Sequence, residues 1–337
     1  MVRQFNSVLL TGGAGYCGSR LVPQLLSKGY KVTVYDIMYF GNDFLPKGNP
    51  NLRIVTADIR DAAKLGATAV GHDVVISLAC ISNDASFELD EKLSTTINLD
   101  AFEPMVVAAK NAGVKRFIYA SSSSVYGVSD KPDVTEDHPL VPLTLYNKYK
   151  GMCEPLLRKH TDSKFTGVTF RPATVCGFAP RQRLDLSVNI LSNHAVNAGK
   201  ITVFGGSQLR PNLHIQDYCD VIEMFLEAPT EKVQNEIFNV GYQNLSIMEI
   251  AHMVRGVVGR LFPEKGQIEI VTTPTDDIRS YHINSSKITR MLGFKPKYTI
   301  ENAVEELCDA FREGRLPRSM DDDSYFNVRR LKRLKAA

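Results

Sequence analysis

At 337 residues the chain has room for about two domains, or one large α/β unit with an appended lobe. Its 44% hydrophobic and 23% charged residues are those of an ordinary globular protein and exclude a disordered or fibrous chain. Forty Lys and Arg against 37 Asp and Glu leave a net charge of +3, too small a surplus to point to a nucleic-acid partner.

No apolar run approaches the ~20 residues of a bilayer span, and Met1–Leu10 lacks a signal-peptide core, so a cytoplasmic location away from membranes is expected. Six cysteines, Cys17, Cys80, Cys153, Cys176, Cys219 and Cys308, are spread without a CxxC pair or a His at metal-ligand spacing. They read as reduced, mostly buried thiols, with no metal site.

Up to residue 175, short β-branched runs alternate with helical segments, which predicts a doubly wound parallel sheet of Rossmann type. The candidate strands are Ser7–Leu10, Lys31–Tyr35, Leu52–Thr56, Asp73–Leu78, Lys115–Ala120 and Phe165–Arg171. Between them, Leu21 and Leu25 share a helical face that Pro23 should bend, and Leu89–Ala112 reads as one long helix ended by Gly113.

Residues 176–320 read mainly as a smaller, mixed α/β substrate-binding lobe, followed by a basic tail over 321–337. The predicted helices there are Ser187–Ala198, Asn212–Glu227, Ser246–Val258, Asn284–Leu292 and Ile300–Glu313, and the strands Ile201–Phe204, Ile237–Val240 and Ile268–Thr272. The basic run Arg329, Arg330, Lys332, Arg333 and Lys335 reads as a solvated helix.

Thr11-Gly12-Gly13-Ala14-Gly15-Tyr16-Cys17-Gly18 follows the first strand and opens a helix. Gly12 permits a tight turn, Gly15 lets backbone approach a pyrophosphate, and Gly18 allows close helix packing, with phosphates over the helix N-terminus. Asp36 ends the second strand 18 residues past Gly18, where a carboxylate accepts from adenosine ribose hydroxyls. That carboxylate, followed by Ile37, Met38 and Tyr39 without an arginine, favours NAD over NADP. Asp58-Ile59, after the third strand, either bracket an adenine or mark a helix start capped by Asp58.

Tyr146 and Lys150 stand four apart on a helix, so an ammonium on the same face favours a phenolate that moves a hydroxyl proton. The run Ser121-Ser122-Ser123-Ser124-Val125-Tyr126-Gly127 ends the fifth strand at the sheet's carboxyl edge, where ligands bind.

Together these elements resemble the extended short-chain dehydrogenase/reductase superfamily, in its NAD-dependent nucleotide-sugar epimerase/dehydratase branch. The likeness also includes Leu78-Ala79, Asn98, Arg171-Pro172, Arg210 with His214 and Asp217, and Asp277-Ile278-Arg279. It implies that Ser122, Tyr146 and Lys150 are catalytic, and that the glycine turn with Tyr16 and Cys17, then Asp36, Asp58, Ile59, Leu78, Ala79 and Asn98, contact NAD along with Tyr146 and Lys150. Ser82, Ser123, Ser124 and Asn189 would face substrate, with Arg210 and Arg279 on its diphosphate.

Dehydratases of this branch carry an Asp-Glu pair where this chain has Ser123 and Ser124. The resemblance therefore implies a 4-epimerase acting on an NDP-hexose or NDP-hexuronate through a 4-keto intermediate. The alternatives are a 4-ketoreductase, a 4,6-dehydratase, or a catalytically silent NAD-binding redox sensor. A homodimer paired through Leu89–Ala112 and Tyr146–Arg158 is implied as well. Cys176 in place of Tyr, the inserted Phe178-Ala179, and Pro211-Asn212 after Arg210 depart from the branch at the substrate rim.

Overall fold

The computed structural model describes residues 3–129, 131, 133–275 and 280–336. Six strands form where β-branched runs predicted them: β1 Ser7–Thr11, β2 Lys31–Asp36, β3 Leu52–Thr56, β4 Val74–Ser77, β5 Arg116–Ala120 and β6 Thr166–Pro172. After β6 come β7 Thr174–Cys176, β8 Lys200–Phe204, β9 Leu209–His214, β10 Ile237–Val240, β11 Gln243–Ser246 and β12 Glu269–Thr273.

The large sheet has the order β10-β6-β5-β4-β1-β2-β3 and every pairing in it is parallel. Its inner strands β1, β4, β5 and β6 are buried on both faces, whereas the edge strand β3 has no buried residue. Val8 and Leu10 of β1 enter one core cluster, with Val34, Ile76 and Phe170, while Leu9 enters the other, with Tyr35, Val75 and Phe117. Because β1 is flanked by β2 on one side and β4 on the other, the chain leaves it in opposite directions, and a crevice opens at the carboxyl ends there.

β10, expected in the second lobe, is the seventh strand of this sheet, with Ile237–Val240 in register with Thr169–Pro172. Two smaller sheets, β11-β9-β7 and β12-β8, build the rest. The predicted helix over Asn212–Glu227 divides. Its first residues belong to β9, and the helix runs from Ile215 to Glu227 because His214 turns its Nδ1 back to accept the Gln216 N–H at 3.0 Å. β7 and β11 are too short to carry a periodic signal.

Helix α1, Tyr16–Ser27, continues through Pro23, which cannot donate to the Ser19 carbonyl. The long helix expected over Leu89–Ala112 is instead Glu91–Thr95, a π-turn at Thr96–Asp100, and Phe102–Asn111. Asp90, accepting the Leu93 N–H at 3.0 Å, sets its start. The catalytic candidates Tyr146 and Lys150 stand on α2, Leu145–Lys159, capped by Thr144. The basic terminal run is a helix, α3, Asn327–Ala336. It is not merely solvated: Arg330 Nε donates to the Tyr39 carbonyl at 2.8 Å and Lys335 Nζ to the Leu89 carbonyl at 2.8 Å. Among the described residues no helix is long and apolar enough to cross a membrane.

Candidate active site

A cleft of about 450 Å³ lies at the carboxyl edge of the large sheet. The turn from β1 into α1 forms its floor. Gly12 has φ 74°, and a Cβ there would lie 2.6 Å from the Ala79 nitrogen. A Cβ on Gly18 would lie 2.5 Å from the Gly13 carbonyl oxygen. Neither turn nor packing admits a side chain, so bare backbone faces the cleft. Gly15, Tyr16 and Cys17 continue that surface, and Leu78 and Ala79 after β4 form the opposite edge.

Asp36 lines the cleft and accepts the Ala14 N–H at 3.0 Å and the Met38 N–H at 2.8 Å. Burial raises its carboxyl, and the N–H bonds pull in the other direction. Asp58 and Ile59 also line the cleft. Asp58 is not the helix cap considered from sequence; Asp61 caps Ala62–Ala69 by accepting the Lys64 N–H at 2.9 Å. Asp58 pairs with Arg60 at 2.6 Å, and although burial raises its carboxyl, the Arg60 bonds together leave it lowered.

Lys150 is 6% exposed and donates from Nζ to the Ala120 carbonyl at 2.8 Å. Ser122 Oγ lies 2.7 Å from Ser124 Oγ, and Ser124 Oγ donates to Asn147 Oδ1 at 2.5 Å. Ser123 Oγ lies 3.4 Å from the Tyr281 hydroxyl. The serine run is therefore wired to α2 at the residue following Tyr146. All three serines, Tyr146 and Lys150 face the cleft.

Burial pushes the Tyr146 phenol well above its ordinary value; Cys80 and Asp84 push the same way, and Arg183 pulls down. Arg183 is thus a cation that acts on the phenol, one that the helical spacing of Lys150 did not reveal. Arg183 Nε donates to Asp185 Oδ1 at 2.9 Å and Nη1 to Ser82 Oγ at 3.3 Å. Arg181 lies beneath it, 3.6 Å from the centre of the Phe40 ring, its Nη2 on Asn327 Oδ1 at 2.6 Å. Burial first, then the Arg183 charge, pulls the Arg181 guanidinium down to about 9. Two arginines at i, i+2 beside Asp185 are the signal in the sequence that marks this cluster.

Two candidates do not face the cleft. Asn98 accepts the Ile81 N–H at 2.8 Å and donates to the Ile81 carbonyl at 2.9 Å, so its amide shapes the backbone below the cleft. Asn189, fully buried, accepts the Gly177 N–H at 3.0 Å and donates to the Tyr16 hydroxyl at 3.1 Å and the Arg183 carbonyl at 2.8 Å. Its amide is consumed in holding the arginine loop over the glycine turn. Tyr16 completes that contact, donating to the Gly177 carbonyl at 2.7 Å. Arg210 of β9 lines the cleft, with Nη1 on the Leu209 carbonyl at 3.0 Å. Asp277, Ile278 and Arg279 lie outside the described residues.

The cleft suits an extended anionic ligand. Among the described residues, Arg181 Nε and Arg183 Nη2 are buried without a hydrogen-bond partner, and both residues line the cleft together with Gly12, Gly15 and Gly18. The sequence profile of the NAD dependent epimerase/dehydratase family matches residues 8–241. The chain belongs to this family.

Its relatives span both halves of the family's name. A low-salt glycan biosynthesis protein of Haloferax volcanii is 30% identical over 312 residues, covering 90% of this chain and 98% of that protein. A UDP-glucose 4-epimerase of Lactobacillus helveticus is 28% identical over 338 residues, covering 90% and 96%. The crystal structure of a Streptomyces venezuelae dTDP-glucose 4,6-dehydratase with NAD bound superposes with a TM-score of 0.81 at 25% identity, covering 92% of this chain and 98% of that one. This family member thus has the Rossmann-type sheet of the extended short-chain dehydrogenase/reductase branch, and NAD is its cofactor. The bare glycine backbone and Asp36 are the groups of this chain that fit it.

Proposed function

We propose that the protein is a nucleotide-sugar 4-epimerase working through a 4-keto sugar. The observation that carries this reading is the serine run: the two positions after Ser122 hold hydroxyls bound to Tyr281 and Asn147, not the carboxylates that elimination of water requires. NAD, when bound, supplies hydride acceptance and return at C4.

The chain supplies proton transfer and binding. Ser122 Oγ holds the C4 oxygen, and Tyr146 Oη takes its proton as the carbonyl forms and gives it back as the alcohol is restored. Lys150, anchored on Ala120, holds the cofactor side of α2 and adds a cation when the phenol ionises. Arg210 and Arg279 grip the substrate diphosphate, with Ser82, Ser123 and Ser124 around the sugar.

In the same reading, residues 1–175 carry cofactor and catalysts, 176–320 supply mainly substrate contacts, and the protein works as a cytoplasmic homodimer. Exposed Leu143 and Met152 on and beside α2 are apolar surface suited to that pairing.

A second reading, a 4,6-dehydratase, is favoured by Asp84, a carboxylate that lines the cleft close enough to raise the Tyr146 phenol. UDP-, GDP-, CDP- and dTDP-hexoses and hexuronates incubated with the enzyme and followed by NMR separate the two. Inversion at C4 with no loss of water is expected. Accumulation of a 4-keto-6-deoxy sugar identifies the dehydratase instead.

A further inference from the structure

We propose that α3, Asn327–Ala336, is a wall of the cofactor site that retains NAD at its adenosine end, with Leu331 as the contact residue and Asn327 and Arg330 as positioning residues. The proposal rests on NAD as the cofactor and is independent of which reaction follows.

Asn327 opens the helix and is 4% exposed. Its backbone N–H donates to Asp185 Oδ2 at 2.9 Å, its Nδ2 to Ser82 Oγ at 2.8 Å, and its Oδ1 accepts Arg181 Nη2 at 2.6 Å. One side chain therefore joins the arginine loop to the segment after β4, both of which line the cleft. Leu331 stands one turn further along the same helical face. It lines the cleft and packs against the cluster that contains Ala57, Ile59 and Ile81.

Arg330 fastens the helix to the ribose loop that follows Asp36. Its Nε donates to the Tyr39 carbonyl at 2.8 Å, next to Met38, which holds the left-handed backbone at φ 62°. A non-glycine residue rarely adopts that conformation, so a tie from outside the loop helps to hold it. At the far end, Lys335 Nζ binds the Leu89 carbonyl at 2.8 Å and Asp90 at 2.9 Å.

Together these place an apolar leucine on the same cleft that Ile59, Tyr39 and Asp36 line, with Asp36 marking the ribose. An apolar wall next to a ribose-binding carboxylate is the chemistry that recognises a purine nucleoside. The helix is built from residues almost 300 positions away from the loop it fastens: Arg330 and Tyr39 are 291 apart.

The test is NADH, ADP and nicotinamide mononucleotide binding, measured by fluorescence and calorimetry without any sugar nucleotide. Leu331→Ser is expected to weaken NADH and ADP about tenfold, a difference of about 1.4 kcal/mol, and to leave nicotinamide mononucleotide unchanged. Arg330→Met is expected to weaken NADH about fivefold, the net worth of one ordinary hydrogen bond. A chain cut after Phe326 should lose NAD on gel filtration; if it fails to fold, the two point variants decide. Wild-type NADH and ADP affinity in folded Leu331→Ser overturns the proposal, and so does equal weakening of all three ligands. Failure of the 4-epimerase reading leaves every one of these affinities as expected.

Discussion

Arg171 on β6 grips Glu154 on α2 through two hydrogen bonds, Nε to Oε1 at 3.0 Å and Nη2 to Oε2 at 2.6 Å, with both side chains 4% exposed. Glu154 is one turn beyond Lys150 and also accepts the Ser121 hydroxyl at 2.7 Å. The pair therefore locks the catalytic helix to the ends of β5 and β6. Arg171→Met should destabilise the protein by about 3–5 kcal/mol in urea unfolding, because it leaves a buried carboxylate without its counter-charge. Adding Glu154→Leu should restore most of that loss, since the desolvated charge goes as well.

Tyr146→Phe should lower kcat by about 10²–10⁴, the range for a positioned proton-transfer group. The NAD released on denaturation should equal that of the wild type, because the phenol's removal leaves the glycine turn and Asp36 untouched. Full activity in this variant would remove Tyr146 from proton transfer.

The pH profile should report Arg183. An acceptor must be deprotonated, so kcat rises with pH through the phenol's pKa, which burial raises and the Arg183 charge lowers. Arg183→Met withdraws the lowering contribution. The rising limb should then move to higher pH in the variant, with the plateau reached later; an unmoved limb would mean that Arg183 does not act on the group that titrates.

Asp73 makes a stability prediction away from the cleft. Burial raises its carboxyl, but Lys115, the Asn6 and Ser7 N–H groups and the Ser7 hydroxyl together hold it down at about 2. An unfolded aspartate titrates near ~3.9, so the stabilisation is complete above that value and is lost as pH falls from about 4 to about 2. Thermal melts across this window should drop more steeply for the wild type than for Asp73→Asn, which has already lost the contribution.

What the chain's local order determined by itself was the nucleotide-binding half. Inner parallel strands are written as apolar, β-branched runs, and the glycine turn, the helix it opens and Asp36 are marked by residue type and spacing, so β1 to β6 and the floor of the cleft were legible. The resemblance put Asn98 on NAD and Asn189 on substrate, and a polar amide near a site looks alike whether it faces a ligand or a backbone. Only packing shows that one is spent on Ile81 and the other on Gly177 and Tyr16. Nor does spacing show every charge that acts on a phenol: Lys150 Nζ lies on the Ala120 carbonyl, and Arg183, distant in sequence, also lowers the Tyr146 phenol. The place of α3 beside the cleft was decided by tertiary structure alone. Asn327 reaches Ser82 across 245 residues, and such pairings leave no periodic trace, since they exist only once the chain has brought its distant segments to one sheet edge.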